Sequence, residues 1–336
     1  MDVSRETRRP RRQGPAHRHE GQLVELGHVV VLAGGLSYER EVSLRSGRRV
    51  ADALRARDVP VELRDADATL LDTLADDPPD VVFPVLHGAA GEDGSLRDIL
   101  ELVGVPYVGA RPDACRVAWD KPTAKAVVRR AGLRTPESVA LPKEIFHDLG
   151  AASVLDRILG RLGLPLFVKP TRGGSALGAS VVREAADLSA AMVGCFAYGD
   201  TALIERHVTG TEIAVSVIER DGVPEALPAV EIIAPAQLYD YTARYDAGDT
   251  EFVTPARLSP DAAERATDAA VTAHRALGLR DISRTDLIVD ASGEVYFLEV
   301  NVAPGMTETS LLPRAVSAAN LDLGAVCQDL LESRAG

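Results

Sequence analysis

The most informative stretch of the chain reads Tyr296-Phe-Leu-Glu-Val-Asn-Val-Ala-Pro-Gly-Met-Thr-Glu-Thr-Ser-Leu311, an apolar strand followed by a loop of small residues. Glu299 and Asn301 stand two positions apart at the strand end, so both side chains point to the same face. Asp286 lies on a preceding apolar strand, and the turn Ala291-Ser-Gly293 joins the two strands as a hairpin that brings Asp286 near Glu299. Because Mg²⁺ takes carboxylate and amide oxygens as ligands, the stretch predicts a magnesium–phosphate centre.

The composition indicates a globular protein of two or three domains. The 336 residues are long for one domain, and an apolar content of 46% is enough to build full cores. No apolar run approaches the roughly 18 residues that a membrane helix needs, and the N-terminus is polar and rich in arginine. The three cysteines are far apart and show neither metal-ligand spacing nor a disulfide framework. We therefore expect a reduced, cytoplasmic protein with no membrane partner.

The charge is divided unevenly along the chain. The net charge is −13, but residues 1–24 carry six arginines against three carboxylates, so the rest of the chain carries −16. An acidic body argues against general nucleic-acid binding. The basic tail is expected to be a disordered leader, with contact to an anionic partner as the alternative.

Three domains are predicted after the tail of residues 1–24. Residues 25–120 alternate strand and helix, ending in a short strand at 107–108, which predicts a parallel sheet with helices on both faces. Residues 121–209 predict an α+β domain. Residues 210–336 predict strands at 212–219 and 225–233, a mobile polar loop, a long helix, the hairpin above and a C-terminal helix from about Leu323.

The second domain carries a glycine-rich loop that indicates a phosphate site. Val168-Lys-Pro170 ends a strand, and Gly173, Gly174 and Gly178 leave backbone N–H groups free to approach an anion. The spacing is not that of a P-loop, and a plain hairpin turn is the alternative for this loop alone. Together with the acidic hairpin, this flap predicts that one Mg-nucleotide is held between them.

Two carboxylates flank the connection between the second and third domains. Glu205 ends one strand and Glu212 begins the next. The hinge between them can offer backbone groups to a flat base and a carboxylate to a ribose. A surface connector with solvated charges is an equally open interpretation.

Two further segments carry candidate functional side chains. Tyr239-Asp-Tyr-Thr-Ala-Arg-Tyr245 places three tyrosines and Arg244 in a polar loop without apolar period, which favours a lid over core packing. His87 directly follows a strand, where parallel sheets place ligands, although a structural histidine that caps the next helix is as well supported. Trp119 is predicted to be a packing residue.

In this order the motifs resemble those of the D-alanine–D-alanine ligase family, within the ATP-grasp superfamily, over about residues 28–335. The motifs that carry the resemblance are Gly34-Gly-Leu-Ser-Tyr-Glu-Arg-Glu-Val-Ser43, His87-Gly-Ala-Ala-Gly-Glu-Asp-Gly94, Phe167-Val-Lys-Pro-Thr-Arg-Gly-Gly-Ser175, Tyr239-Asp-Tyr with Tyr245, Ser283-Arg-Thr-Asp286 and Leu298-Glu-Val-Asn-Val-Ala-Pro-Gly-Met-Thr307. The resemblance implies an ATP-grasp fold with an N-terminal Rossmann-like parallel-sheet domain. It also implies an enzyme that is commonly dimeric and acts on small molecules.

The resemblance further implies the role of individual residues. ATP phosphorylates the carboxylate of one D-alanine, and the amine of a second D-alanine attacks the acylphosphate. Residues implied to bind ATP are Lys121, Lys169, Gly174, Ser175, Glu205, Val208, Glu212 and Arg244. The implied metal ligands are Asp286, Glu299 and Asn301, which would hold two Mg²⁺, or Mn²⁺ in their place.

The remaining implied roles concern the two amino acids. Glu39 would contact the first D-alanine, with His87 nearby, and a Glu39–Ser175–Tyr245 cluster would join the first domain, the flap and the lid. Arg284 and the Gly305 N–H would stabilise the oxyanion of the tetrahedral intermediate. Ser310 and Leu311 would bind the carboxylate of the second substrate.

Four positions depart from the family pattern. Ala176 stands in place of a second serine, Arg97 in place of a glutamine, Val302 in place of a threonine and Arg244 in place of a lysine. No departure removes a metal ligand. Tyr245 favours an amine as the second substrate, because ligases that form depsipeptides typically lack a tyrosine there.

The leading hypothesis is an ATP-dependent D-alanine–D-alanine ligase of peptidoglycan precursor synthesis. A related ATP-grasp ligase that joins another pair of amino or hydroxy acids is the alternative, because of the departures at Ala176, Arg97 and Val302. A catalytically silent nucleotide-binding regulator is a third hypothesis, which the intact metal set disfavours.

Overall fold

A computed structural model of the chain describes residues 26–233 and 250–335. The predicted tail 1–24 and the lid residues Arg244 and Tyr245 therefore lie outside the described residues. Over the described ranges the strands form three sheets, one parallel and two antiparallel. The mixture of sheets and helices is the α/β class that the sequence predicts.

The N-terminal unit is built on a three-stranded parallel sheet in the order β2-β1-β3. The strands are β1 (Val29–Ala33), β2 (Val61–Asp65) and β3 (Val81–Pro84). The helices around this sheet and after it are α1 (Arg40–Arg55), α2 (Leu70–Asp76), α3 (Ala89–Glu92), α4 (Ser95–Val103), α5 (Pro112–Trp119) and α6 (Lys121–Arg130). All five residues of β1 are buried, as expected for the central strand of a parallel sheet covered on both faces.

The short strand predicted at 107–108 is wrong. Tyr107 forms a single parallel bridge with Val82 rather than a strand. Pro106 has no N–H to extend the ladder, and Gly109 at φ +110° turns the chain away from the sheet.

The second unit is an antiparallel sheet in the order β4-β7-β5-β6. The strands are β4 (Ser138–Pro142), β5 (Leu166–Pro170), β6 (Ser180–Val182) and β7 (Thr201–Arg206). The helices of this unit are α7 (Lys143–Asp148), α8 (Ala151–Leu162) and α9 (Leu188–Phe196), which follows a 3₁₀ turn at Ala185–Asp187. β5 and β6 form the predicted hairpin, with the glycine-rich flap as its connection.

The third unit is a six-stranded antiparallel sheet in the order β11-β10-β8-β12-β13, with β9 also paired to β8. The strands are β8 (Gly210–Arg220), β9 (Val223–Ala226), β10 (Val230–Ile233), β11 (Glu251–Val253), β12 (Ile282–Asp290) and β13 (Val295–Asn301). The long predicted helix is α10 (Pro260–Ala276). Together with α5 and α6 it packs against this sheet in one hydrophobic core.

One sequence prediction in this unit is wrong, and one helix was not predicted. The strand predicted at 225–233 is two strands, because Pro228 between them has no N–H for the ladder. Helix α11 (Leu311–Ala318), which precedes α12 (Leu323–Glu332), has no counterpart among the sequence predictions. Pro313 reads as a breaker there, but it occupies the first turn of α11, where a backbone N–H has no intrahelical partner.

The C-terminal helices return to the N-terminal unit. Leu312 of α11 and Leu330 of α12 share one buried cluster with Val31 of β1 and Leu54 of α1. The last part of the chain thereby packs beside the first sheet. The loop after β13, which leads into α11, is brought next to the N-terminal unit.

None of the helices in the two described ranges is long and apolar enough to cross a membrane.

Candidate active site

Two adjoining cavities lie where the three units meet. The first, of about 130 Å³, is enclosed by the flap, the hinge after β7 and the β12–β13 hairpin. The second, of about 60 Å³, is enclosed by the flap, the N-terminal unit and the loop after β13. Each site residue that the sequence indicates within the described ranges lines one or both.

The first cavity is lined by Lys121, Lys169, Gly174, Glu205, Val208, Glu212, Asp286 and Glu299. The second is lined by Glu39, His87, Lys121, Gly174, Ser175, Arg284, Glu299, Asn301, Gly305, Ser310 and Leu311. Lys121, Gly174 and Glu299 belong to both sets, so the two cavities share a wall.

The acidic hairpin has the register that the sequence predicts. Asp286 on β12 is directly opposite Glu299 on β13, and Arg284 is opposite Asn301. The register shifts between Asp286 and Leu287. This irregularity lies at the first cavity, as bulges beside functional sites commonly do.

Each hairpin carboxylate is paired with a cation. Arg284 donates two hydrogen bonds to Asp286, from Nε at 2.7 Å and Nη2 at 2.9 Å. Glu299 Oε2 lies 3.5 Å from Lys169 Nζ and 3.6 Å from Lys121 Nζ. The negative charge of the hairpin is therefore balanced inside the protein.

The pairs continue as a buried chain of alternating charge. Lys169 Nζ also lies 3.3 Å from Glu205 Oε2, and Lys125 Nζ lies 2.8 Å from Glu205 Oε1. Burial favours a higher pKa for the Glu205 carboxyl, but Lys125 and Lys169 outweigh it and hold that pKa below its usual range. Burial favours a lower pKa for Lys169, and Glu205 and Glu299 together raise it. Glu205 is therefore a carboxylate at neutral pH.

The hinge residues form the far end of the first cavity. Glu205 lies on β7 and Glu212 on β8, so the segment between them joins the four-stranded sheet to the six-stranded one. Val208 and Ile288 supply apolar surface to the same cavity. An apolar slot with one carboxylate at each side fits a flat base and a sugar.

The flap has an unusual backbone. Ser175 and Ala176 are consecutive non-glycine residues in the left-handed region, at φ 54° and 53°, between Gly173 and Gly178, which also have positive φ. Such conformations cost roughly 1–3 kcal/mol each and concentrate at functional loops. Ala176, one of the departures from the family pattern, lines the first cavity from this position.

The flap closes onto the N-terminal unit through a buried contact. The Ser175 hydroxyl donates a hydrogen bond to Glu39 Oε1, and both side chains are buried. Lys121 Nζ donates to the carbonyl of Gly173 at 2.7 Å. The first two members of the predicted Glu39–Ser175–Tyr245 cluster are thus in contact, and the third lies outside the described residues.

His87 is buried at the back of the second cavity. Its Nδ1 donates to the carbonyl of Ala303 at 3.0 Å, and its Nε2 lies 3.3 Å from the Ser46 hydroxyl. Burial lowers the pKa of His87 to about 4, so the imidazole is neutral at physiological pH. His87 therefore joins the N-terminal unit to the loop after β13 rather than capping a helix.

The loop after β13 ends at the N-terminus of α11. Ser310, the residue before this helix, accepts a hydrogen bond on its hydroxyl from the Thr307 N–H at 3.0 Å. A Cβ at Gly305 would lie 2.7 Å from that hydroxyl oxygen, so any larger residue there would displace the Ser310 side chain. Free N–H groups and the helix dipole favour an anionic group at such an end.

Sequence reasoning missed three residues of this region. Trp119, predicted to be packing, lines the second cavity, as does Glu92. Burial and, to a smaller extent, the nearby Glu39 carboxylate together raise the pKa of Glu92 to about 8. Lys125 lies behind the first cavity, one helical turn after Lys121. The spacing of four residues places both lysines on one face of α6, and from this pattern the sequence could have indicated Lys125 as a second site lysine.

The hairpin fits a magnesium site by the chemistry of its donors. Asp286, Glu299 and Asn301 offer only oxygens, which suit a hard divalent cation. Over residues 26–233 and 250–335, no three His, Cys, Asp or Glu side chains group closely enough to hold a metal by themselves. The amide of Asn301 is therefore needed to complete the set that the sequence predicts.

Two protein-family models match this chain, one in its N-terminal part and one in its C-terminal part. The family model described as "D-ala D-ala ligase C-terminus" matches residues 127–332, and that described as "D-ala D-ala ligase N-terminus" matches residues 62–110. The D-alanine–D-alanine ligase of Anaeromyxobacter sp. (strain Fw109-5) is 41% identical over 307 residues, which is 91% of this chain and 96% of the relative. That of Pelotomaculum thermopropionicum is 35% identical over 90% of this chain and 95% of the relative.

Solved structures of the same kind share the fold. The VanG D-Ala:D-Ser ligase of Enterococcus faecalis superimposes with a TM-score of 0.78 at 30% identity, covering 90% of this chain and 98% of that one. The D-alanine–D-alanine ligase of Bacillus anthracis in complex with ATP gives 0.74 at 27% identity, covering 92% and 96%.

Proposed function

The chain belongs to the D-alanine–D-alanine ligase family of ATP-grasp enzymes, and from that premise we propose that it joins two D-alanines into D-alanyl-D-alanine. It is an ATP-dependent ligase, as the family is. The proposed products besides the dipeptide are ADP and phosphate, and the proposed pathway is peptidoglycan precursor synthesis.

The observation that carries the proposal is the shared wall of the two cavities. Lys121, Gly173, Gly174 and Glu299 line both. A nucleotide in the first cavity would place its terminal phosphate at this wall, and an amino acid in the second would place its carboxylate there. Phosphoryl transfer needs this approach and charge neutralisation more than it needs a covalent nucleophile.

In the proposed reaction a carboxylate oxygen of the first D-alanine attacks the terminal phosphorus, and the bond to ADP breaks. The amine of the second D-alanine then attacks the carbonyl carbon of the acylphosphate and gives up a proton. The C–N bond forms first and places negative charge on the carbonyl oxygen, and collapse of this tetrahedral intermediate then breaks the C–O bond and releases phosphate. The flap, held to Glu39 by Ser175, keeps water from the acylphosphate.

The charged residues have different roles in the proposed reaction. Lys121 and Lys169 stabilise the phosphates, and Arg284 with the Gly305 N–H stabilises the oxyanion. Asp286, Glu299 and Asn301 would hold Mg²⁺, which when bound neutralises charge on the phosphates. Ser310 and the start of α11 bind the carboxylate of the second substrate.

The proposal is tested by phosphate release from ATP with and without D-alanine, with the product identified by mass spectrometry. We expect release only with D-alanine, and a product of the mass of D-alanyl-D-alanine. With D-alanine labelled by heavy oxygen in its carboxylate, one label should appear in the released phosphate. Release with another amino acid and none with D-alanine would overturn the proposal.

A second candidate is a ligase for D-alanine and a different second substrate. It is favoured by the similarity to a D-Ala:D-Ser ligase and by the departures at Ala176, which lines the first cavity, and at Val302, which lines a separate small void. Competition between D-alanine, D-serine and D-lactate in one reaction, resolved by mass spectrometry, separates the two candidates. The homodimer and the cytoplasmic location stay predictions.

A further inference from the structure

The side chain of Lys125 is buried behind the first cavity and does not itself line it. Lys125 is fully buried, and Glu205, which does line the cavity, is 2% exposed. The ammonium lies 2.8 Å from Glu205 Oε1 and donates to the carbonyl of Phe297 at 3.2 Å. Lys125 therefore forms an ion pair with one oxygen of Glu205 and connects it to the backbone of β13.

The second oxygen of Glu205 has a different partner. Lys169 lies 3.3 Å from Oε2, but it also lies 3.5 Å from Glu299 at the wall shared by the cavities. In the proposed reaction Lys169 stabilises phosphates and Glu299 holds a metal ion. When Lys169 does so, Lys125 is the cation that remains against Glu205 in this part of the structure.

The protonation state of Glu205 determines which base it can recognise. A carboxylate only accepts hydrogen bonds and so suits the exocyclic amino group of adenine. A protonated carboxyl can donate, and it would suit the carbonyl oxygen that inosine and guanine carry at the same place. A buried carboxyl without a nearby cation takes up a proton, because burial disfavours the charged form.

We propose that Lys125 is a positioning residue for nucleotide choice, which keeps Glu205 an oriented carboxylate and thereby selects adenine over bases that carry a carbonyl group. This inference rests on the proposed function, since it takes the first cavity to be the ATP site. It assigns a task to a residue that contacts neither substrate nor metal. Burial lowers the pKa of Lys125 to about 8, and Glu205 offsets part of that effect, so the two side chains depend on one another for their charge.

The test compares ATP with inosine triphosphate as substrates of the full chain. Lys125→Met removes the cation and keeps most of the volume. The ratio of kcat/KM for ATP to kcat/KM for inosine triphosphate should fall by about tenfold or more, the effect of one hydrogen bond to a charged group. Glu205→Gln should shift the ratio in the same direction, because an amide can donate. The double variant should shift it no further than Glu205→Gln alone.

Lys143→Met is the matched control. Lys143 is exposed, pairs with Asp200 and lines neither cavity, so the ratio should not change. A general loss of stability would lower activity with both nucleotides, whereas the ratio reports only base choice. If Lys125→Met does not accumulate as folded protein, Lys125→Gln replaces it, since glutamine can still contact the Phe297 carbonyl.

An unchanged ratio in the folded Lys125 variant would overturn the inference while leaving the ligase activity in place. If the unmodified protein releases no phosphate from ATP with any amino acid offered, the proposed function itself fails, and this is seen before any variant is made. The two failures are therefore distinguishable.

Discussion

The carboxylates of this site differ in their exposure and in the charge of their neighbours. Glu299 is partly exposed and balanced by two lysines, whereas Glu92 is buried beside another carboxylate. The first arrangement offsets the charge of the proposed metal ligand Glu299 with two cations, and the second raises the pKa of the Glu92 carboxyl. Each leads to a prediction about one residue.

Replacing Glu299 with glutamine should lower kcat by about 100-fold while leaving the fold intact, because the change weakens a proposed Mg²⁺ ligand, and Mg²⁺ contributes several kcal/mol to stabilising the transition state. Glu294→Gln, on the same hairpin and paired with Arg134 in solvent, is the control and should keep normal activity. Turnover at saturating Mg²⁺ and circular dichroism check both. Near-normal activity of the Glu299 variant would refute its assignment as a ligand.

Glu92 should make the protein less stable as pH rises. Its pKa is about 8 in the folded state and about 4.5 when unfolded, so between these values folding requires uptake of a proton. The contribution of Glu92 to stability is therefore most favourable below about pH 4.5 and is lost as pH rises to about 8. Glu92→Gln removes this dependence.

The free energy of unfolding of the Glu92→Gln variant, relative to the unmodified protein, should increase by up to about 1.4 kcal/mol per pH unit over this window. Urea unfolding at several pH values measures it. Glu144→Gln, an exposed change on α7, serves as control and should give a difference independent of pH. A flat difference for Glu92→Gln as well would mean that Glu92 is already ionised in the folded state.

At the scale of elements, the flap depends on left-handed backbone conformations, which a Cβ atom disfavours. Gly178 has φ +71°, and a Cβ there would lie 2.9 Å from the ring of Tyr198. Gly160 in helix α8 has ordinary helical geometry and open space around a Cβ. The same substitution should therefore have opposite effects at the two positions.

Gly178→Ala should destabilise the protein by about 1–2 kcal/mol, because alanine resists this conformation and meets Tyr198. Gly160→Ala should stabilise it by about 0.5–1 kcal/mol, because alanine is the better helix former. Urea unfolding compares the two variants. Because the flap covers the first cavity, the KM for ATP should rise for Gly178→Ala alone, and equal KM values would contradict a closing role for the flap.

At the scale of the whole molecule, the three units are joined by a few buried polar contacts. Asp281, 1% exposed, accepts from the Gly109 N–H of the N-terminal unit at 2.7 Å and from Arg334 Nε after α12 at 2.8 Å. Arg280 donates to the Gly109 carbonyl at 2.6 Å. This cluster joins the start of β12 in the third unit to the N-terminal unit and to the C-terminus.

Replacing Arg334 with alanine should lower the free energy of unfolding by about 2–3 kcal/mol, because it leaves the buried Asp281 carboxylate without its closest cation. Arg161→Ala, which removes an exposed pair with Glu137, should change it by less than about 1 kcal/mol. Thermal and urea unfolding measure both. Equal effects would show that the cluster does not hold the units together.

The sequence alone was sufficient for the local features of this protein. Strand periodicity and the turn at Ala291-Ser-Gly293 predicted that Asp286 would face Glu299, and the register confirms it. The pattern of strand, glycine-rich loop and strand predicted the flap hairpin. The order of the short motifs along the chain predicted the family. These features depend on residues close together in the chain, where spacing determines which side chains share a face.

Tertiary structure alone decided which groups are buried together and with what charge. The pairing of Lys125 with Glu205, the protonation of Glu92 beside Glu39 and the exposure of Trp119 to the second cavity join residues far apart in the chain. Helix α11 likewise forms despite Pro313, since packing of Leu312 beside the first sheet stabilises it. Burial and electrostatic pairing are set by neighbours in space, and no local pattern encodes them.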